Sequence, residues 1–335
     1  MAKKIIMMAA MAAATWAVAK EDGDCEALNR RFGAPERIAF RPSRDTGAPV
    51  AALTSRHGSC EIDLMGARVL SYLPAGQRPV LFLPRSMKLD PPAWKHGGIP
   101  VCWPWFGRNG EPGSVVHGFV RQMTFSVRSA KCSDDATEIT LALVSSDKTR
   151  RIWPYDFDLE LKVSLSTSLD LVLTARNTGK EKFWYTEGFH PYFSLSDAAT
   201  TRVRGLDGAT VCDARAAKAD GSPFNAKDFA ATWQGDLTVD RDYDHVFTPK
   251  GGEFAIFDPK LNRTIAIRAQ GNKKLVVWHP TPDYDKENME PGDCRRMVCV
   301  EPATLFRDEG AWLEPNATHR LRMTIQSNPG DGSVR

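Results

Sequence analysis

Phe157-Asp-Leu-Glu-Leu-Lys-Val-Ser-Leu-Ser-Thr-Ser168 runs directly into Leu169-Asp-Leu-Val-Leu-Thr-Ala-Arg176. Apolar and polar residues alternate through almost the whole stretch, the period of a strand with one buried face. A helix would show a period near 3.6, and none fits here. The same period recurs on either side of it. Cys60 to Leu73, Phe119 to Val127, Thr137 to Val144, Phe183 to Phe193, Glu253 to Phe257, Thr264 to Arg268, Lys274 to His279, Arg296 to Glu301 and His319 to Gln326 all read as strands. Asn177-Thr-Gly179 and Asp258-Pro259 supply turn signals between them. Only Glu26 to Arg31 and Ala226 to Trp233 read as helical. So many strands with so little helix predict an all-β, mostly antiparallel sandwich whose cleft is built from strand ends and loops.

The chain has 335 residues, a formal net charge of +3 and 42% hydrophobic residues, enough for a sizeable core. Charge this close to balance, with no lysine-rich or arginine-rich block, excludes the electrostatic footprint of a nucleic-acid binder. Lys3-Lys4, the apolar run from Ile5 and the small-residue site Ala17-Val-Ala19 read as a secretory signal peptide over residues 1–19. Residues 20–335 then form a single domain. The uncharged stretch is short for a membrane span and polar residues follow it at once, so no stable membrane anchor is expected. Removing residues 1–19 leaves 42 basic against 41 acidic residues, and the product is expected in the periplasm or secreted. The seven cysteines are odd in number, and scattered buried thiols are the default reading. No CxxC or Cys/His spacing points to zinc.

Chemistry concentrates in four places. His96-Gly-Gly-Ile-Pro-Val-Cys-Trp-Pro-Trp-Phe-Gly107 and His117-Gly-Phe-Val-Arg121 combine aromatic rings, histidines and an arginine, the residue types of a sugar cleft. Trp105 and Trp278 are the candidate rings for the C–H faces of a sugar. If His117 to Arg121 is extended, His117, Phe119 and Arg121 share one face. In Glu187-Gly-Phe-His-Pro-Tyr-Phe193 the same rule puts His190 beside Tyr192, and Pro191 makes the stretch an edge, a bulge or a cleft rim. Met297-Val-Cys-Val300 reads as a buried strand ending in Glu301-Pro302. A carboxylate there is either paired with an arginine or held for chemistry.

Taken together, these motifs resemble those of the hexose-6-phosphate mutarotases, or glucose-6-phosphate 1-epimerases, a branch of the aldose 1-epimerase superfamily. The resemblance runs from about Leu28 to Ile325 with the motifs in family order. It implies a galactose-mutarotase-like β-supersandwich, a sugar or sugar-phosphate substrate, and no metal or organic cofactor. It also implies that Glu301 takes the proton of the anomeric hydroxyl while His190 protonates the ring oxygen. His117 would hold the substrate near its anomeric centre and Asp244 would bind hydroxyls, although a surface turn explains the local sequence of Asp244 equally well. Arg121 and His96 fall at the phosphate end.

Two positions depart from the pattern. Relatives usually carry arginine where this chain has His96, and commonly asparagine where it has His279. A histidine offers fewer donors to phosphate than an arginine fork. That substitution, with the leader, points toward free aldoses as alternative substrates. Two rival functions use a similar sandwich. One is a non-catalytic carbohydrate-binding protein. The other is a lyase or hydrolase accessory domain, but a hydrolase needs two carboxylates flanking the bond and only Glu301 has such a setting.

Overall fold

Alternation along the chain becomes alternation of burial. In a computed structural model, which describes residues 24–84, 96–108, 114–214, 229–280, 289–305 and 311–330, Phe157–Leu165 and Leu169–Asn177 each bury every second side chain. They pair antiparallel, Phe157 opposite Asn177 and Leu165 opposite Leu169. Both lie in a nine-stranded sheet running from Leu237–Thr238 at one edge to Ser126–Cys132 at the other. The long strand Thr318–Pro329 joins its halves, pairing with Leu169–Asn177 on one side and Arg263–Gln270 on the other.

An eight-stranded sheet packs against it. Leu275 and Val277 of Lys274–His279 and Val298 and Val300 of Met297–Thr304 share one buried apolar cluster with Leu171, Leu173, Ile265 and Leu321 of the larger sheet. Burying these aliphatic faces stabilises the sandwich by roughly 1.5 to 3 kcal/mol per side chain. A third sheet, Ile38–Pro42, Pro49–Ser55, Gly58–Asp63 and Arg68–Pro74, adds Phe40, Leu53, Ile62 and Val69 to the same cluster. All named strand pairings are antiparallel among the described residues. The predicted sandwich class is what the chain adopts.

The predicted helix near the N-terminus spans Cys25–Phe32, capped by Asp24, whose carboxylate accepts the Glu26 N–H at 2.9 Å. The predicted helix Ala226 to Trp233 is not formed in its described part, where Ala231–Thr232 is an edge strand. Residues 226–228 and the proposed leader, residues 1–19, lie outside the described residues. No helix among the described residues is long and apolar enough to cross a membrane. All seven cysteines are free thiols, and Cys132 is exposed.

Candidate active site

The site forms where one strand ladder is interrupted. Met297–Thr304 pairs with Tyr192–Ser194 through Met297, Val298 and Cys299, and with Glu187–Phe189 through Ala303 and Thr304. Between these two stretches lie Val300, Glu301 and Pro302, opposite the connection through His190 and Pro191. Neither proline has an N–H to offer a ladder, which is the local reason for the break. The strand itself continues past Glu301, so the expectation that it ends at Glu301-Pro302 is corrected. Pro302 sits in the gap between its two partners and still pairs in register with Leu275 on the other side.

His190 and Glu301 face each other across this gap, with His190 Nδ1 3.5 Å from Glu301 Oε1. Glu301 is 1% exposed and His190 12%. Burial pushes the Glu301 carboxyl well above its usual range, and the charge of Asp244 adds to the effect. Burial pushes the His190 imidazole well below its usual value, followed by electrostatic effects of His117, Arg121 and His96. Burial thus favours a carboxylic acid beside a neutral imidazole. A carboxyl and an imidazole so placed can share one transferable proton.

Sheet register gathers the remaining groups on the same face. Asp244 lies opposite Trp278, Trp278 opposite Cys299, and Cys299 opposite Tyr192. Val246 and Val276 form the neighbouring row that leads to Glu301. Tyr192 stacks on His190 with ring centroids 4.8 Å apart and planes within 6°, as the period-two reading of that motif predicts. His96 stacks on Trp278 at 5.5 Å and its Nδ1 shares a 2.9 Å hydrogen bond with the Tyr192 hydroxyl.

Glycines let the first motif close over this surface. Gly98 has φ +65°, and a Cβ there would lie 2.2 Å from the Val69 carbonyl oxygen. Its N–H donates to Phe82 O at 2.8 Å and its carbonyl accepts from Tyr192 N at 2.9 Å, while His190 N–H donates to Pro100 O at 3.1 Å. The motif therefore fixes the backbone of both aromatic neighbours. Phe106 and His117 complete the wall: His117 packs edge-on to Phe106 at 4.8 Å and to His190 at 5.2 Å. His117 takes φ +65°, and its Nδ1 accepts the Gly107 N–H at 3.1 Å. A neutral His117 consequently carries its proton on Nε2.

The second motif is not extended. Phe119–Gln122 is a 3-10 turn, so His117, Phe119 and Arg121 do not share a strand face. Gly118 initiates the turn at φ +84° against the Trp103 carbonyl, with no room for a Cβ. Phe119 turns into the core, and Arg121 donates to Val116 O at 3.1 Å. Next to Arg121 stands Arg68, which the sequence reading did not single out. It is buried, donates through Nε to Gly97 O at 3.0 Å, and is pushed down to about 10 by burial and then by the Arg121 charge. Both arginines line a small cavity with Met65, Gly66, Pro100 and Val101. Arg68 carries no local signal of this role, because its partner Gly97 is far away in sequence.

The Aldose 1-epimerase family model matches residues 49–326, most of the chain and every cleft residue named above. The chain belongs to the aldose 1-epimerase family. Proteins of Cenchrus ciliaris and Escherichia coli (strain K12), both named "Putative glucose-6-phosphate 1-epimerase", are 31% and 30% identical to it. The matches cover 88% and 72% of this chain and 89% and 78% of theirs. The crystal structure of YeaD from Salmonella typhimurium superposes with a TM-score of 0.77 at 25% identity, over 88% of this chain and 94% of that one. Galactose 1-epimerase from Lactobacillus acidophilus NCFM shares the fold, with a TM-score of 0.67 at 14% identity over 88% and 100% of the two chains. The protein is an isomerase of the epimerase class on a galactose-mutarotase-like sandwich.

Within this epimerase the expected site residues His96, His117, Arg121, His190, Asp244, Trp278 and Glu301 gather around one cleft. Trp105 does not. It is 6% exposed, packs on Phe119 in the main core, and its indole N–H donates to Val115 O at 2.7 Å. The neighbouring Phe106 takes the cleft position expected of Trp105. His279 also serves the scaffold, its ring nitrogens lying 2.7 Å from Arg241 O and 2.8 Å from Cys294 O.

Proposed function

We propose that this epimerase interconverts the α and β anomers of an aldohexose or a hexose 6-phosphate, with Glu301 and His190 as the proton-transfer pair. The observation that carries this reading is the buried carboxyl 3.5 Å from a buried imidazole, in a cleft walled by Tyr192, Trp278, Phe106 and His117. Moving the shared proton from Glu301 to His190 gives a carboxylate and an imidazolium. The carboxylate takes the proton of the anomeric O1 hydroxyl as the imidazolium protonates the ring oxygen. The C1–O5 bond breaks, O1 becomes the aldehyde oxygen, and the pair again holds one proton. Rotation about C1–C2 and reclosure with the proton movements reversed deliver the other anomer.

His117 holds the substrate beside the reacting atoms, Asp244 accepts from sugar hydroxyls, and Trp278 offers an apolar face to the C–H surface. Arg121 and Arg68 give the cleft a positive end where a 6-phosphate would lie, with His96 beside Tyr192 in place of a further arginine. An arginine at position 96 would add one charge-assisted hydrogen bond, about 1.5 to 3 kcal/mol or roughly 10- to 150-fold. The basic and apolar pattern of residues 1–19 supports export, where free aldoses are available.

The test is anomer interconversion followed by polarimetry or exchange NMR, with glucose and glucose 6-phosphate compared. Both should be accelerated above buffer, with a modest preference for the phosphate that rises in His96→Arg and falls in Arg121→Ala. No acceleration of either sugar by folded protein would overturn the activity. A strong phosphate preference untouched by both substitutions would overturn the assignment of the phosphate end.

A further inference from the structure

The floor of the cleft holds a third donor that proton transfer does not use. Cys299 and Glu301 are two residues apart on Met297–Thr304 and so face the same side, while Cys299 stands in register with Tyr192, two residues after His190. A His190 ring nitrogen, the Cys299 thiol sulfur and a Glu301 carboxyl oxygen all lie within 4.8 Å of one another. Sequence spacing conceals the cluster, because His190 comes from a connection far away in sequence.

Two observations point to a ligand. Glu301, 1% exposed, has no hydrogen-bond partner for Oε2, and the buried His190 Nδ1 has none either. At 3.5 Å these two groups stand beyond good hydrogen-bond distance, and unsatisfied polar atoms in a buried site are costly. That spacing does suit a metal. Zinc bonds of about 2.1 Å to nitrogen and oxygen at the tetrahedral angle put the two ligand atoms about 3.4 Å apart. A sulfur at about 2.3 Å from the ion belongs about 3.6 Å from the oxygen, which asks the thiol to close by at most about 1.2 Å.

We propose that His190, Cys299 and Glu301 form a three-ligand site for a borderline-soft divalent cation, with zinc the best fit, and that the bound ion blocks the cleft. A mixed imidazole, thiolate and carboxylate set favours zinc over magnesium or calcium. The thiol and the carboxylic acid release their protons to solvent as the ion binds, and the fourth position faces the cleft. Binding itself does not depend on the proposed function. The inhibitory consequence rests on Glu301 and His190 being the reactive pair.

The full chain is titrated with zinc against a chromophoric chelator, and with cobalt(II) while the thiolate-to-cobalt charge-transfer band is recorded. One ion per chain is expected, with that band present. Cys299→Ser should abolish the band and weaken zinc at least about tenfold, while metal-free interconversion stays within about twofold of wild type. Cys299→Ala provides a second replacement should the serine variant misfold. Zinc should inhibit the wild type, EDTA should restore it, and the Cys299 variants should resist. Absence of stoichiometric binding, or binding and a cobalt band unchanged by both replacements, would overturn the site. Cys299-dependent binding with undiminished interconversion would leave the site standing and overturn the blocking and the reactive-pair reading together.

Discussion

Replacing Glu301 by glutamine separates chemistry from structure cleanly in this cleft. Burial favours the neutral form of the carboxyl, so the substitution puts one planar group of similar size in place of another. Its Oε2 makes no hydrogen bond that would be lost. Folding stability should therefore change little. The proton-transfer capacity disappears, and one positioned acid or base contributes roughly 10² to 10⁴-fold. At about 1.36 kcal/mol per tenfold this raises the barrier by about 2.7 to 5.4 kcal/mol. His190→Asn removes the partner and should cost a similar amount. The two groups sit 3.5 Å apart, and under the proposed mechanism, in which they exchange one proton, they act as a unit. The double variant should then be about as slow as the slower single variant, with no further multiplication. Polarimetry at several enzyme concentrations, with the buffer rate subtracted, gives the rates, and thermal melts check folding. A folded Glu301→Gln enzyme within tenfold of wild type would refute the reasoning. So would losses that multiply in the double variant.

Two further outcomes follow from other parts of the molecule. Glu187 is fully buried 2.7 Å from His319: the Glu187 hydrogen bond pushes His319 up, and burial pushes Glu187 up despite its partner. Both groups bind protons more tightly when folded, so their contribution to stability is full at low pH and is lost as pH rises above about 4.5 for Glu187 and about 6.5 for His319. The melting temperature should fall between about pH 5 and 9 more steeply in wild type than in Glu187→Gln, and parallel curves would contradict this. If residues 1–19 act as the proposed leader, expression of the full chain should yield a mature N-terminus near Lys20, read by N-terminal sequencing; an intact Met1 to Ala19 would contradict export.

Much of the sandwich was legible because its long strands have one buried and one polar face. Thr137–Val144 runs over the residues its alternation predicts, and Lys274–His279, buried on both faces, also spans its predicted residues. Strands of two to four residues, such as Arg202–Arg204 and Leu237–Thr238, are too short to show a period and were not read. Phe119 to Val127 misled because alternation is blind to backbone conformation: Gly118 at φ +84° starts a turn where the pattern suggests a strand. At the site, His190 and Tyr192 were readable as a pair because they are neighbours along one short segment. Trp105 and Phe106 were not separable, since which ring meets the core and which the cleft depends on the His117 loop packed against them. Arg68 and Cys299 acquire their neighbours only when distant strands come together.

The tautomer of His117 gives the cleft a direction. With Nδ1 already accepting from the Gly107 backbone, the neutral ring can present only an N–H from its other nitrogen. Such a group welcomes a lone pair and repels another donor. A pyranose ring oxygen or anomeric oxygen meets that demand. An iminosugar carrying a protonated ring nitrogen in the same place sets hydrogen against hydrogen. The site should accordingly discriminate between two ligands of nearly identical outline by the polarity of a single atom, a selection that neither shape nor apolar contact could make.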